Sequence, residues 1–264
     1  MPTYEAKELA LSKEKYKKYK YDKSVVITGK EIKDYFKVLL CAMSQVSPDL
    51  AEKTKHIGHG MMRLPKGKMS SRTGKVVTFK FLLDEVEKLV AEKIKNRNFS
   101  EREKKEIIEK VSIGALKYSI LKQSIRSDII YDFDKSISFE GDSGPYLQYS
   151  YARAQSLLRK AKAEGVSMRI YKFTNNTNYE VSGLEKMMSY FSEAVQKAGV
   201  EYEPHFIVLY LTELAREFNN YYAKNKIVDN GDEFSSYKVA VTEAFSIIMK
   251  NGLWLLGIPV LDKM

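Results

Sequence analysis

A loop rich in lysines, hydroxyls and glycines is the stretch of this sequence best suited to chemistry on phosphates. It reads RLPKGKMSSRTGK over residues 63–75, and the letters KMSS in it include Lys68, Ser70 and Ser71. Mobile ammonium groups beside hydroxyls can neutralise the charge that develops on a departing pyrophosphate. The GxxxxGK[ST] pattern of Walker-type loops is absent. A basic surface loop without catalytic function is the alternative interpretation of these letters.

Two histidines, His56 and His59, precede the loop. A zinc site needs more ligands than these, and the sequence adds only His205 and the single cysteine Cys41, so we expect no metal site. One cysteine also excludes a disulfide within the chain and favours a reducing, cytoplasmic location. We expect both histidine side chains to have a structural role at the edge of a strand.

Two stretches combine aromatic rings with cations, which is the pairing that holds unstacked RNA bases. GPYLQYSYAR (144–153) ends at Arg153, and EFNNYYAKNK (217–226) contains Tyr221, Tyr222, Asn225 and Lys226. Adjacent helical positions point about 100° apart, so one of the two tyrosines should pack inward, leaving Tyr222 and Lys226 exposed. The alternatives are a core stripe for the first stretch and an ordinary helix end for the second.

The formal net charge of +10 is confined to the first part of the 264-residue chain. Residues 1–100 carry 22 Lys and Arg against 12 Asp and Glu, whereas residues 101–264 carry 22 of each. The basic part indicates a polyanionic partner such as nucleic acid or nucleotide phosphates, with a solvated lysine-rich surface as the alternative. No apolar run is long enough to predict a membrane-spanning helix.

The elements that must position these residues change in character along the chain. The first part predicts strands alternating with helices: strands 24–28, 56–62 and 76–79, and helices 32–43, 81–95 and 100–124, with a short helix opening at Ser47-Pro48. The part from about residue 144 predicts helices 145–164, 183–198, 204–226 and 236–251. The predicted end signals are capping boxes at Ser100/Glu103 and Ser182/Glu185, and Gly252 just after the last helix.

Taken together, these stretches resemble the arginyl-tRNA synthetases, a family of class I aminoacyl-tRNA synthetases. The segments that carry the resemblance cover essentially the whole chain: TYEAKELALSK, YDKSVVITGKEIKDYF, HIGHGMMRLPKGKMSSRTGKVVTF, GALKYSILKQSIRSDIIYDFDKSISFEGDSGPYLQYSYARAQSLLRKA, EPHFIVLYLTELAREFNNYY and NGLWLLGIPVLDKM. The letters HIGH at residues 56–59 also spell a class I signature. The resemblance places them in the strand before the KMSKS-type loop, so this second match is a coincidence.

The resemblance implies a fold in two parts. Residues 1–138 would be a partial α/β Rossmann portion of the catalytic domain, with the KMSKS-type loop and a helical connector. Residues 139–264 would be an all-α helical bundle, a DALR-type anticodon-binding domain. It further implies that the chain corresponds to a C-terminal portion of the enzyme and is inactive by itself.

The reaction implied by the resemblance is activation of arginine with ATP, followed by transfer of arginine to tRNA. ATP with Mg²⁺ is then a substrate rather than a tightly bound cofactor. The implied partners are arginine, ATP and tRNA of the arginine family, with no membrane, and the implied oligomeric state is a monomer. The alternatives are a non-catalytic tRNA-binding module and another class I synthetase, such as one for lysine or glutamate.

The resemblance also assigns roles to individual residues. Lys68 would neutralise the leaving pyrophosphate, with Ser70 and Ser71 shaping the loop. The implied ATP-binding residues are His56, Gly60, Met61 and Lys68, with backbone groups near Gly60 and Met61 holding adenine. The implied arginine-binding residues are Tyr4 and Glu8. The implied tRNA-binding residues are Arg153, Tyr221, Tyr222, Asn225 and Lys226.

Two positions depart from the family pattern. Glu8 stands where the family usually has Asp, and Ile32 stands where it usually has Gln. The longer carboxylate of Glu8 can still pair with a guanidinium, but Ile32 cannot replace an amide.

Overall fold

A computed structural model describes residues 4–63, 78–167 and 180–264, and of residues 4 and 5 it describes the backbone only. The chain divides into two units, Met1–Arg63 with Ile125–Ile129, and Leu64–Ser124 with Ile130–Met264. No helix among the described residues is long and apolar enough to cross a lipid bilayer.

The first unit contains a strand–helix–strand arrangement. Its described elements are α1 (Tyr4–Lys18), β1 (Ser24–Gly29), α2 (Lys33–Val46), α3 (Pro48–Lys53), β2 (Thr54–His59) and β3 (Met62–Arg63), and β4 (Ile129–Ile130) begins in it. Strands β1 and β2 are parallel, with Val26 opposite His56 and Ile27 opposite Ile57. The predicted strand, glycine and helix at residues 24–43 are therefore confirmed.

The predicted strand at residues 56–62 is instead two strands, β2 and β3. The chain is interrupted at Gly60, whose N–H donates a hydrogen bond to the carbonyl oxygen of Ile125 at 2.7 Å. A Cβ at Gly60 would lie 1.9 Å from the carbonyl oxygen of Ser127. Only glycine permits this approach of two backbones, and the approach takes the chain out of its pairing with β1.

The second unit is helical. Its described helices are α4 (Phe79–Ile94), α5 (Glu101–Leu121), α6 (Phe133–Ser136), α7 (Gly144–Ala163), α8 (Gly183–Ser189), α9 (Phe191–Glu201), α10 (His205–Lys224) and α11 (Ser235–Leu255). Its core includes Phe218 of α10, which stacks on Phe245 of α11 with ring centroids 3.9 Å apart. The buried hydroxyl of Tyr118 in α5 bonds Thr212 of α10 at 3.0 Å, and burial raises the pKa of Tyr118 to about 12.

The predicted helix starts are mostly confirmed. Both capping boxes form, at Ser100/Glu103 before α5 and at Ser182/Glu185 before α8. The predicted strand at residues 76–79 is wrong at its described end, because Thr78 caps α4 by accepting a hydrogen bond from the Phe81 N–H at 3.1 Å. Val76 and Val77 lie outside the described residues.

Two predictions about helix extents are wrong. The helix predicted over residues 183–198 is broken at Tyr190, whose N–H donates to the Met187 carbonyl at 3.2 Å in a tighter turn. Gly252 lies inside α11 rather than after it. A glycine is needed there because a Cβ would lie 2.6 Å from the Leu211 side chain of α10. The left-handed glycine that follows α11 is Gly257, with φ of 64°.

Candidate functional site

The first candidate site lies where β1 and β2 end, at Gly29 and His59. His56 lies in β2 and faces α2, where its ring stacks on Phe36 with centroids 3.8 Å apart. Its Nε2 is 2.8 Å from Oγ1 of Thr28. Burial lowers the pKa of His56, because the charged imidazolium loses hydration. The His56 ring thus contacts other residues of the fold, as expected for a structural histidine.

This depressed pKa predicts a pH dependence of stability. The unfolded chain binds a proton at His56 near pH 6.5, whereas the folded state resists it, so stability should fall as pH drops from about 6.5 towards 5. We expect the His56→Phe variant, which retains the ring but does not titrate, to lose less stability over this range. Thermal melts at pH 7 and pH 5 measure the difference, with His59→Phe as the matched control. Equal pH dependence of the wild type and the His56→Phe variant would contradict the assignment.

The backbone of Gly60 and Met61 is already hydrogen-bonded within the fold. The Met61 N–H donates to Oδ1 of Asp128 at 2.9 Å, and the Met61 carbonyl accepts from the Ile129 N–H at 2.9 Å. The carbonyl oxygen of Gly60 lies 2.8 Å from Nδ1 of His59. What this segment presents to a ligand is therefore chiefly the Met61 side chain, which is 43% exposed.

Asp128 organises this end of the strands, and sequence reasoning missed it. Its carboxylate accepts a hydrogen bond from Lys30 at 2.7 Å and pairs with Arg63 at 3.2 Å. The hydrogen bond from Lys30, followed by that from the Met61 N–H, lowers the pKa of Asp128. Two half-exposed cations are thereby held beside Met61, an arrangement compatible with phosphate. Asp128 is 67 positions from Met61, so no local pattern could have linked them.

The residues expected to bind arginine are only partly described. The Tyr4 side chain lies outside the described residues, as do Lys68, Ser70 and Ser71 of the KMSKS-type loop. Glu8 pairs with Lys15 at 3.0 Å across two turns of α1. Ile32 lies at the start of α2 and is 38% exposed.

A second candidate site, in the helical unit, is centred on Arg153 of α7. The guanidinium carbon of Arg153 lies 4.8 Å from the ring centroid of Tyr149 and 4.9 Å from that of Tyr222 on α10. Both distances are those of cation–π contacts. The rings of Tyr149 and Tyr222 are both exposed to solvent. Positions 69 residues apart in sequence are thus joined into one surface, which we call the Arg153 surface.

Asn219 of α10 holds this arrangement together. Its Oδ1 accepts a hydrogen bond from Nη1 of Arg153, and its Nδ2 donates to the Tyr146 hydroxyl and to Oγ of Ser150, both at 3.0 Å. Sequence reasoning noted the asparagines in this helix end without assigning Asn219 a position. Arg153 is therefore oriented before any ligand arrives.

Two clefts meet at the Arg153 surface. The larger cleft has a volume of about 550 Å³, and its neighbour has a volume of about 470 Å³. The residues that line both the larger cleft and the 470 Å³ cleft are Phe99, Tyr149, Arg153 and Met264. The larger cleft adds the cations Lys93 and Arg97, and the other adds Arg159 and Lys263. Exposed rings flanked by cations in a cleft suit the bases and phosphates of RNA.

The structure separates the other predicted tRNA-binding residues. Tyr221 is buried and Tyr222 is 41% exposed, which confirms that one of the two tyrosines packs inward. Asn225 ends α10 and donates its side-chain N–H to the Tyr221 carbonyl at 2.9 Å. Lys226 lies beyond the helix and pairs with Asp229 at 3.0 Å, so the expected helical spacing with Tyr222 is wrong.

The tyrosines of α7 divide between core and surface. Tyr151 is buried with Leu147 and Ala154, which confirms the predicted core stripe. Tyr146 is partly buried against the same core, and Tyr149 is exposed beside Arg153.

Comparison with known proteins identifies two domain families along the chain. The model of tRNA synthetases class I (R), catalytic domain, matches residues 2–133, and that of the DALR anticodon binding domain matches residues 147–264. The arginine–tRNA ligase of Clostridium acetobutylicum is 35% identical over 262 residues, which are 99% of this chain and 46% of that protein. The arginine–tRNA ligase of Streptococcus suis is 32% identical over 99% of this chain and 46% of its own length.

Solved structures show the same likeness. The arginyl-tRNA synthetase of Thermus thermophilus matches 93% of this chain and 42% of its own, with a TM-score of 0.78 and 26% identity. The parallel strand pair and the following helical bundle are thus those of the class I aminoacyl-tRNA synthetases. Within that class, the chain belongs to the arginyl-tRNA synthetase family. It spans about half the length of the curated relatives it matches.

Proposed function

We propose that this chain serves an arginine–tRNA ligase, which activates arginine with ATP and transfers it to tRNA. The single observation that carries the RNA half of this proposal is the Arg153 surface, in which two exposed tyrosines flank a fixed guanidinium. Residues 1–138 would belong to the catalytic domain and residues 139–264 to the anticodon-binding domain. The family membership supports the ligase over a binding module or a synthetase for another amino acid.

In the catalytic part, we propose that ATP binds at the end of the parallel strands. The exposed Met61 side chain would pack on adenine, since the backbone groups of Gly60 and Met61 are already hydrogen-bonded. His56 would support this segment through its contacts with Phe36 and Thr28 rather than through ATP itself. Mg²⁺ would arrive on the phosphates of the nucleotide, as is usual for this ion.

The chemical step would rest on the KMSKS-type loop. Lys68 would neutralise the leaving pyrophosphate while Ser70 and Ser71 shape the loop around it. Tyr4 and Glu8 would line the arginine site. The Glu8 carboxylate already pairs with the ammonium group of Lys15. An arginine guanidinium would take the place of Lys15 and donate two parallel hydrogen bonds to this carboxylate.

In the helical part, we propose that the Arg153 surface contacts unstacked bases of the anticodon loop. Tyr149 and Tyr222 would supply ring faces, and Arg153 would supply both charge and a planar stacking surface. Lys226 and Asn225 would contribute at the rim, beyond the end of α10, and Tyr221 would support Tyr222 from the core.

This proposal predicts a loss of RNA affinity on removal of one ring. We expect Tyr222→Ala to weaken binding of an arginine-accepting tRNA by roughly 5-fold to 150-fold, since one base stacked on an aromatic ring contributes about 1–3 kcal/mol. The measurement is filter binding or calorimetry. Tyr190→Ala is the matched control, because Tyr190 is an exposed tyrosine of the same unit that lies outside both clefts.

A second variant separates stacking from charge. Arg153→Lys keeps the cation but loses the planar group, so we expect it to weaken tRNA binding while thermal melts show a folded protein. If folded Tyr222→Ala and Arg153→Lys variants both bind tRNA like the Tyr190→Ala control, the Arg153 surface does not contact RNA bases.

A further inference from the structure

Lysines of α1, of the turn after it and of the end of α3 cluster around one tyrosine, Tyr16, in the first unit. Lys20 places its ammonium nitrogen 4.5 Å from the ring centroid of Tyr16, and Lys53 places its own at 5.8 Å. Lys13 and Lys17 line a cleft of about 390 Å³ with Tyr16 and Lys20. We call Lys13, Lys17, Lys20 and Lys53 the basic patch.

The basic patch is held in shape by aromatic contacts. The Tyr16 ring meets Tyr21 edge to face, with centroids 5.1 Å apart and planes at 78°. Lys20 and Lys53 come from segments 33 positions apart and are both placed by the same ring. The attraction of both ammonium groups to the ring offsets part of their mutual repulsion, so the patch can exist before a partner binds.

The patch lies at the opposite end of the strands from the candidate ATP site. Lys20 precedes β1 and Lys53 immediately precedes β2, whereas Gly29 and His59 end those strands. The strands are parallel, so their amino ends lie side by side. A six-residue strand separates its amino end from its carboxyl end by about 20 Å. A nucleotide bound near Met61 would therefore lie at the other end of the strands from the patch.

The charge of the patch is not neutralised locally. None of its four lysines forms an ion pair with a described side chain, although many other described lysines do. Lys15, on the same helix, is paired with Glu8. Asp49 is the carboxylate among the residues that line the cleft. The patch therefore offers a concentrated positive potential to a polyanion.

We propose that the basic patch binds the phosphodiester backbone of an RNA strand, as a contact separate from the Arg153 surface. The identity of the polyanion as RNA rests on the proposed function. RNA is favoured over an acidic peptide because Tyr19, which directly precedes Lys20 in the chain, is 74% exposed and offers an aromatic ring on which a base can stack. The patch supplies affinity without reading sequence, because phosphates are common to every nucleotide.

The test is the salt dependence of RNA binding. Four fewer phosphate contacts should make the slope of log K against log[KCl] shallower by about 3, at roughly 0.7–0.9 per contact. The variant is Lys13→Gln, Lys17→Gln, Lys20→Gln and Lys53→Gln combined, measured with an arginine-accepting tRNA and with a single-stranded oligouridylate. The matched control combines Lys37→Gln, Lys88→Gln, Lys104→Gln and Lys110→Gln, which removes the same charge from lysines paired with neighbouring carboxylates.

Three further variants guard against misfolding. Lys→Arg at all four patch positions should restore the wild-type slope, and each half, Lys13→Gln with Lys17→Gln or Lys20→Gln with Lys53→Gln, should give about half of the change. A wild-type slope in the folded four-lysine variant, or an equal change in the control, overturns the proposal. So does loss of binding to phosphatidylserine vesicles with RNA binding unchanged, which would make the partner a lipid surface.

The outcome is separable from that of the proposed function. Tyr222→Ala should lower tRNA affinity by a similar factor at every salt concentration, because a stacked base carries no released counterion. The four-lysine patch variant should instead change the slope of log K against log[KCl]. If Tyr222→Ala and Arg153→Lys both leave tRNA affinity unchanged while the patch variant changes the salt slope, the Arg153 surface is rejected and the patch is supported.

Discussion

Lys68→Ala is expected to lower the rate of arginine-dependent ATP–pyrophosphate exchange by about 10²–10³, in a protein that contains this chain and activates arginine. The reason is that an ammonium group aimed at the departing pyrophosphate acts on charge that appears only in the transition state. Such an interaction raises the rate without strengthening ground-state binding. We therefore expect the loss in the rate constant rather than in the KM for ATP.

The same loop supplies a control for this prediction. Lys75→Ala removes an equal charge seven positions away and should produce a much smaller loss of exchange rate. tRNA affinity should be unchanged in both variants. If Lys68→Ala retains the exchange rate and loses tRNA affinity instead, Lys68 contacts RNA and not the leaving group.

The 264-residue chain by itself is expected to give no ATP–pyrophosphate exchange above background. A parallel sheet in an α/β protein is normally covered on both faces, but in β1 the apolar side chains of Ile27 and Val25 are 62% and 38% exposed. An apolar face of this kind suits further packing by another element. The chain also spans 46% of the length of its Clostridium acetobutylicum relative.

The measurement is exchange by the purified chain at saturating ATP and arginine, with that relative as positive control. Thermal melts would establish that the chain is folded. Arginine-dependent exchange that disappears in Lys68→Ala would show that the chain is catalytically sufficient, and would contradict the prediction.

Local signals in the sequence predicted local structure well. The capping boxes at Ser100 and Ser182 are confirmed because each depends on hydrogen bonds that span three residues. The core stripe of α7 is confirmed because burial follows the helical period. The parallel pairing of β1 and β2 follows from the intervening helix, since parallel strands need such a crossover.

Features that depend on distant packing were missed or wrong. Glycine is the residue type that commonly follows a helix, but the role of Gly252 is to leave room for the Leu211 side chain of a neighbouring helix. Asp128 and Asn219 organise the two candidate sites through partners 65 or more positions away. A pattern read along the chain carries no information about such partners until the fold is known.

The enclosure of Arg153 between two rings would have a thermodynamic consequence for the proposed contact with RNA. Ordering a flexible side chain at an interface typically opposes binding by about 0.5–1.5 kcal/mol. Asn219, Tyr149 and Tyr222 restrict the Arg153 rotamer in the folded chain, so this entropy is lost when α7 and α10 pack together. Complex formation should then be limited by diffusion and base unstacking rather than by side-chain rearrangement, and loosening of the α7–α10 packing on heating should weaken affinity well below the melting temperature.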